Sequence, residues 1–207
     1  MTDPIRRFLR QRKYGDEIII VSGLPRSGTS MMMKMLEAAG LPIMTDHQRA
    51  ADDDNPEGYF EEERVKDLGK QTDKSWLRQA RGKVLKVISH LLEELPDDNF
   101  YRVILMRRDL DEVLASQQKM LEHRGKENPI ADKKAKDHYL RHLVQVRFMV
   151  RAKPNFELLE ADYRRALKEP AAFAAEIGGF LGRRLDTAAM AAIVDQQLYR
   201  NRKHQLH

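Results

Sequence analysis

The stretch EIIIVSGLPRSGTSMMMKMLEAAG, residues 17–40, constrains this chain more than any other. Four consecutive apolar residues, Ile18, Ile19, Ile20 and Val21, read as a strand buried on both faces. A loop bounded by Gly23 and Gly28 follows, and the spacing of Met31, Met32, Met35 and Leu36 predicts a helix that begins near Thr29. In a strand, glycine-bounded loop and helix, successive backbone N–H groups point into one concavity, and the helix adds its unpaired N-terminal donors. The stretch is a candidate seat for a phosphate or sulfate group. A plainer reading keeps the same backbone: Pro25 fixes a tight turn, Ser27 caps the helix and Arg26 faces water.

The loop departs from the common nucleotide-binding pattern GxxxxGK[ST] at one position. Thr29 stands where the lysine belongs, while Ser30 keeps the hydroxyl. Arg26 offers charge from inside the loop; its planar fork suits two oxygens of a phosphoryl or sulfuryl group, with Thr29 and Ser30 as short donors.

With 207 residues and 42% hydrophobic content, the chain suits a single α/β domain over residues 1–207. Lys and Arg number 37 against 32 Asp and Glu; this +5 is mixed in sign along the chain, so a local anion site accounts for it without specific nucleic-acid binding. The absence of cysteine excludes disulfides, thiolate catalysis and cysteine-bound metal. The first ten residues are too polar for a secretion signal, and no run approaches the roughly 18 apolar residues of a membrane span. A cytoplasmic protein is the expectation.

Residues 1–16 read as an N-terminal arm, with Ile5, Phe8 and Leu9 covering the sheet or touching a partner and Arg6, Arg7 and Arg10 outward. After Gly40, a helix-stopping residue, residues 41–44 suit a short second strand. Residues 45–80 change character: three adjacent acids, Asp52, Asp53 and Asp54, precede a turn signal and a helix carrying Phe60, Val65 and Leu68. The three acids lack the ligand spacing of a divalent-ion site and read as a solvated loop, so no metal is assigned.

A buried strand over residues 84–88 ends at Ser89 and His90, on the edge where a parallel sheet meets its ligands. His90 is therefore a candidate proton acceptor, although a cap or packed surface residue fits it too. The next strand, residues 103–106, ends at Arg107 and Arg108, and its helix buries Val113, Leu114, Met120 and Leu121. Arg108 and Ser116, eight residues apart, could hold one phosphate if the strand-to-helix turn folds back; Asp109 alternatively matches the magnesium-holding acid of nucleotide hydrolases. A long helix over residues 131–153, a strand in FELLEADY, a helix from Pro170 and a last helix capped by Asp186 complete the βα pattern. Such a pattern implies an open, mainly parallel sheet with helices on both faces.

GLPRSGTS, NPEGYFE, VILMRRDLDEVLASQ, ADYRRALKEP and GGFLG, in that order, resemble the sulfotransferase family in its short bacterial form. The resemblance implies a three-layer architecture like that of P-loop nucleotide hydrolases. It also implies transfer of a sulfuryl group from PAPS to a hydroxyl or amine of a small-molecule or peptide acceptor, leaving PAP. In that scheme Arg26, Ser27, Gly28, Thr29 and Ser30 hold the 5′-phosphosulfate, Arg108 and Ser116 hold the 3′-phosphate, and no metal takes part.

The base follows from the same resemblance. Members with arginine in the loop, those similar to tyrosylprotein sulfotransferases, place a glutamate after the first helix, matched by Glu61 in GYFE. Small-molecule members place a histidine shortly after a strand lysine, and here His90 arrives two residues late after Lys86. Glu61 is thus the implied base, with His90 second and Glu62 a one-residue alternative; as a plain feature, Glu61 is an acid at a helix start. The short chain leaves the acceptor pocket to residues 45–80 or to a second copy of the chain. Two rival readings stand beside this one: a relative that binds PAP without turnover, and a magnesium–ATP small-molecule kinase that would lack its usual loop lysine.

Overall fold

Five parallel strands form the centre of the computed structural model, which describes residues 4–46, 60–123 and 132–194. They are β1 (Ile18–Gly23), β2 (Ile43–Met44), β3 (Val84–Lys86), β4 (Tyr101–Arg107) and β5 (Phe156–Asp162), in the order β2-β3-β1-β4-β5. All the pairings are parallel, so every connection crosses a face of the sheet.

Strand side chains alternate between faces, and here both faces are apolar. Ile19, Val21, Ile104 and Met106 point to one side, where α2 (Thr29–Ala38) adds Met32, Met35 and Leu36. The same side receives Ala166 and Leu167 of α6 (Tyr163–Lys168), Phe173 and Ile177 of α7 (Pro170–Leu181), and Met190 of α8 (Thr187–Ala192). Ile18, Ile20, Val103 and Leu105 point to the other side, against Val146 and Val150 of α5 (Asp132–Ala152) and Leu77 and Leu92 of two 3₁₀ turns. Each of these Val, Leu, Ile, Phe and Met side chains, taken from water, stabilises the fold by about 1.5–3 kcal/mol. The expected open parallel sheet with helices on both faces is the observed one.

Several local expectations change. The strand read over residues 84–88 ends at Lys86; Val87 N–H still bonds Val21 O at 3.0 Å, but Ile88 turns outward and Ser89–Glu94 form a 3₁₀ turn. The helix expected around Phe60, Val65 and Leu68 is only α3 (Glu63–Lys66), followed by a 3₁₀ turn containing Gly69, a residue that weakens helix continuation. Gly28, not Ser27, is the N-cap of α2, with no side-chain cap. Asp186 caps α8 through Ala189 N–H, and Pro170 opens α7.

The N-terminal arm is a full helix, α1 (Pro4–Tyr14), and its orientation is the reverse of the expectation. Arg10 points inward and pairs with Glu157, while Ile5, Phe8 and Leu9 face solvent. A charge partner on the sheet wins over the short apolar stripe. The acids Asp52, Asp53 and Asp54 and most of NPEGYFE lie outside the described residues, as does the tail beyond residue 194. Among the described residues no helix is long and apolar enough to cross a membrane.

Candidate functional site

The site grows from the carboxyl end of β1. A Cβ on Gly23 would fall 2.4 Å from Ser27 Oγ and 2.9 Å from Met106 O, and one on Gly28, at φ 99°, would fall 2.5 Å from Tyr163 Cδ2. Both glycines are therefore required by the space around the loop. Ser27 N–H bonds Leu24 O at 3.2 Å to close the turn, and Arg26 sits at φ 72°, a conformation that costs a non-glycine residue about 1–3 kcal/mol. In that conformation Arg26 Nε donates to Ser116 Oγ at 2.9 Å, across ninety residues of sequence. Ser27 is 2% exposed and its Oγ has no hydrogen-bond partner among the described residues, as is true of Ser22 Oγ just before the loop. A buried hydroxyl without a partner costs about 1–3 kcal/mol, which an anion seated in the loop would recover.

Two cations reach this loop from other elements, and a third braces one of them. Arg108, just past β4, donates from Nη1 to Arg26 O at 3.2 Å and from Nε to Glu112 Oε2 at 3.1 Å, and its guanidinium lies 4.7 Å from the Tyr163 ring centre. Glu112, on α4 (Leu110–His123), is completely buried, and Arg164 Nη2 reaches its other oxygen at 2.6 Å. Lys86, the last residue of β3, donates from Nζ to Ser30 Oγ at 3.2 Å. Its register partner on β1 is Val21, so the strand order delivers a lysine beside the loop that lacks one. Gln117 donates from Nε2 to Pro25 O at 3.3 Å and accepts at Oε1 from Tyr139 OH at 2.9 Å, which ties the loop to α4 and α5.

The structure thus brings Arg26, Ser27, Gly28, Ser30, Arg108 and Ser116 together, with Thr29 as the first residue of α2. Lys86, Glu112, Tyr163 and Arg164 are the residues sequence reasoning missed as site members. Lys86 had one visible signal, its place at the carboxyl end of an apolar strand; the others lay in motifs whose partners are distant in sequence.

The proton acceptors sit differently. The Glu61 carboxylate lies 3.2 Å from Lys66 Nζ, and its backbone oxygen accepts from Thr45 Oγ1 at 2.8 Å, fastening this segment to the chain after β2. Glu62 is buried and its carboxylate pairs with Arg64 Nε at 2.7 Å. The ring of His90 stacks on His142 of α5 at 3.7 Å and 3°, and lies 6.3 Å from His138. Ser89 Oγ and His142 Nε2 are hydrogen-bonded at 2.9 Å. Burial, then the neighbouring His138, pushes the His90 pKa down; burial, then His90 and His138, pushes His142 down to about 4.

The histidine stack gives a pH prediction. Unfolding returns His142 to its ordinary value near 6.5, so between that value and about 4 the unfolded chain binds a proton the native state refuses. This stabilising contribution is complete above pH 6.5 and is lost as pH falls toward 4. Thermal unfolding across that window should show a declining midpoint, and His142→Gln should show a shallower decline than wild type. Equal slopes would remove the stack as the cause.

No family model matches the chain, and no curated protein matches it. Among solved structures it is similar to a sulfotransferase domain from the Synechococcus PCC 7002 olefin synthase, at TM-score 0.53 and 16% identity over 92% of this chain and 82% of that one. A sulfotransferase domain from the curacin biosynthetic pathway aligns at TM-score 0.49 and 13% identity, covering 92% of this chain and 89% of the other. The first likeness defines the class of fold: an α/β, P-loop-like architecture shared with a sulfotransferase domain. The resemblance expected from GLPRSGTS and VILMRRDLDEVLASQ is met at that level, the fold.

Proposed function

We propose that this protein transfers a sulfuryl group from PAPS to a hydroxyl or amine of a small-molecule or peptide acceptor, leaving PAP. One observation carries the reading: two motifs far apart in sequence meet in one cationic site, where Arg26 bonds Ser116 and Arg108 bonds the Arg26 backbone. The partnerless Ser27 Oγ and the glycine cradle suit an anionic group of this size. When bound, PAPS supplies the activated sulfuryl group and a stable leaving group.

The roles of the chain's own residues follow from their chemistry. Ser27, Gly28, Thr29 and Ser30 bind the 5′ side through loop N–H and hydroxyl donors, and Arg108 with Ser116 binds the 3′-phosphate. Arg26 and Lys86 neutralise charge that gathers on the phosphate–sulfate bridge, a role that fixed donors perform without reorganisation. Glu61 accepts the acceptor's proton at a carboxylate oxygen, and His90, whose pKa is lowered, is the second choice for that role. Residues 45–80, or a second copy of the chain, complete the acceptor side.

Calorimetric titration of PAP into wild type and Arg108→Ala, with magnesium–ATP as comparison, tests the reading. Micromolar PAP binding that weakens by about 1.5–3 kcal/mol on loss of the arginine is the expected result. Binding of magnesium–ATP with none of PAP would replace it with a kinase. PAP binding with no sulfuryl transfer from PAPS across an acceptor screen would leave a non-catalytic relative.

A further inference from the structure

α1 carries Arg6, Arg7, Arg10, Arg12 and Lys13 and no acid within its eleven residues. Ile5, Phe8 and Leu9 fall on one side of it at the spacing of a helix face, and they are 70%, 63% and 57% exposed. The opposite side is fastened to the body. Arg10 pairs with Glu157 and lies 4.7 Å over the Phe100 ring, and Tyr14 is buried with its ring 6.3 Å from that of Phe100. Since Arg10 and Tyr14 set the rotation of the helix, the apolar side cannot turn inward while those contacts hold. The exposure of Phe8 and Leu9 is therefore a consequence of the docking and not of a loose end.

We infer that α1 is an interfacial helix that seats the protein on an anionic lipid surface, with Ile5, Phe8 and Leu9 entering the boundary between headgroups and acyl chains. Arg12 and Lys13, both exposed, flank those side chains and supply the charge complement to the headgroups. The same face suits a protein partner poorly. A stable protein interface buries roughly 800 Å² on each side, far more than three side chains offer, whereas a bilayer needs only an apolar wedge ringed by cations. Long basic side chains lay their stems along the apolar boundary and keep their charge in the headgroup layer.

Flotation with vesicles of phosphatidylcholine alone, and of phosphatidylcholine with phosphatidylglycerol, tests the inference on the full chain. Wild type should float with the anionic vesicles, not with the neutral ones, and should be released as salt is raised. Phe8→Ser with Leu9→Ser should lose roughly tenfold or more of that partitioning, and Arg12→Glu with Lys13→Glu should lose it as well. Each variant's unfolding midpoint is measured alongside; the serine variant should match wild type because its side chains face solvent, while the glutamate variant should fall only slightly, since Lys13 Nζ also lies 4.7 Å over the Tyr14 ring. Absence of wild-type flotation, or flotation unchanged in the serine variant, overturns the inference. Retention on duplex DNA that persists in the serine variant, with no vesicle binding, assigns the bases to a phosphate backbone instead and overturns it equally.

Discussion

Glu112→Ala is expected to destabilise the protein by about 3–5 kcal/mol, the cost of removing the shared partner from a buried ion pair. Glu112 has no exposure at all, and its two oxygens are occupied by Arg108 Nε at 3.1 Å and Arg164 Nη2 at 2.6 Å. Arg108 is itself nearly buried beside the Tyr163 ring, so loss of the carboxylate leaves its charge with less compensation, although its bond to the Arg26 carbonyl stays. Arg164 is more open and turns to water, which puts most of the cost on Arg108. Urea unfolding should show a lower midpoint with an unchanged slope, and melting should fall by roughly 6–20 °C for a domain of this size. Glu112→Gln, which keeps an acceptor of the same shape, should cost less. A loss under about 1 kcal/mol in the alanine variant would mean that Tyr163 and the loop hold Arg108 without Glu112.

The parts of this molecule that were legible in its sequence are those set by neighbours in the chain. Gly23 and Gly28 bracket a turn whose backbone leaves no room for a Cβ, and such a turn between an apolar strand and an apolar helix announces itself locally. The alternation that fills both faces of β1 and β4 is equally local. What stayed hidden depends on strand order. Lys86 reaches Ser30 only because β3 lies beside β1, and nothing in residues 84–90 says which strand is the neighbour. His90 stacks on a histidine from α5, a partner its own segment does not announce, and Arg10 docks on a glutamate 147 residues away, a partner that outranks the local signal for an outward arginine. The apolar spacing of Ile5, Phe8 and Leu9 suited covering the sheet or touching a partner equally, because periodicity reports amphipathicity and not which side meets the protein.

If the protein transfers a sulfuryl group from PAPS as proposed, Lys86→Ala is expected to lower turnover by about 10²–10³-fold while leaving the fold nearly unchanged. The lysine is half-buried at the sheet edge, and its ammonium lies within hydrogen-bond reach of Ser30 at the start of α2. That position supplies the point charge that Thr29 cannot, from a neighbouring strand instead of from the loop. Its attraction is strongest when negative charge gathers on the bridge to the sulfuryl group, so the substitution should act on kcat more than on KM. PAP has no sulfuryl group, and its affinity should therefore change little in Lys86→Ala but fall in Arg108→Ala. This contrast would separate the two cations by the end of the proposed donor that each one meets. Lys86→Arg should restore only part of the rate, because a wide planar fork does not reproduce a compact ammonium against Ser30. Turnover within about threefold of wild type in Lys86→Ala would show that the lysine serves only to tie β3 to α2, leaving Arg26 to neutralise the bridge alone.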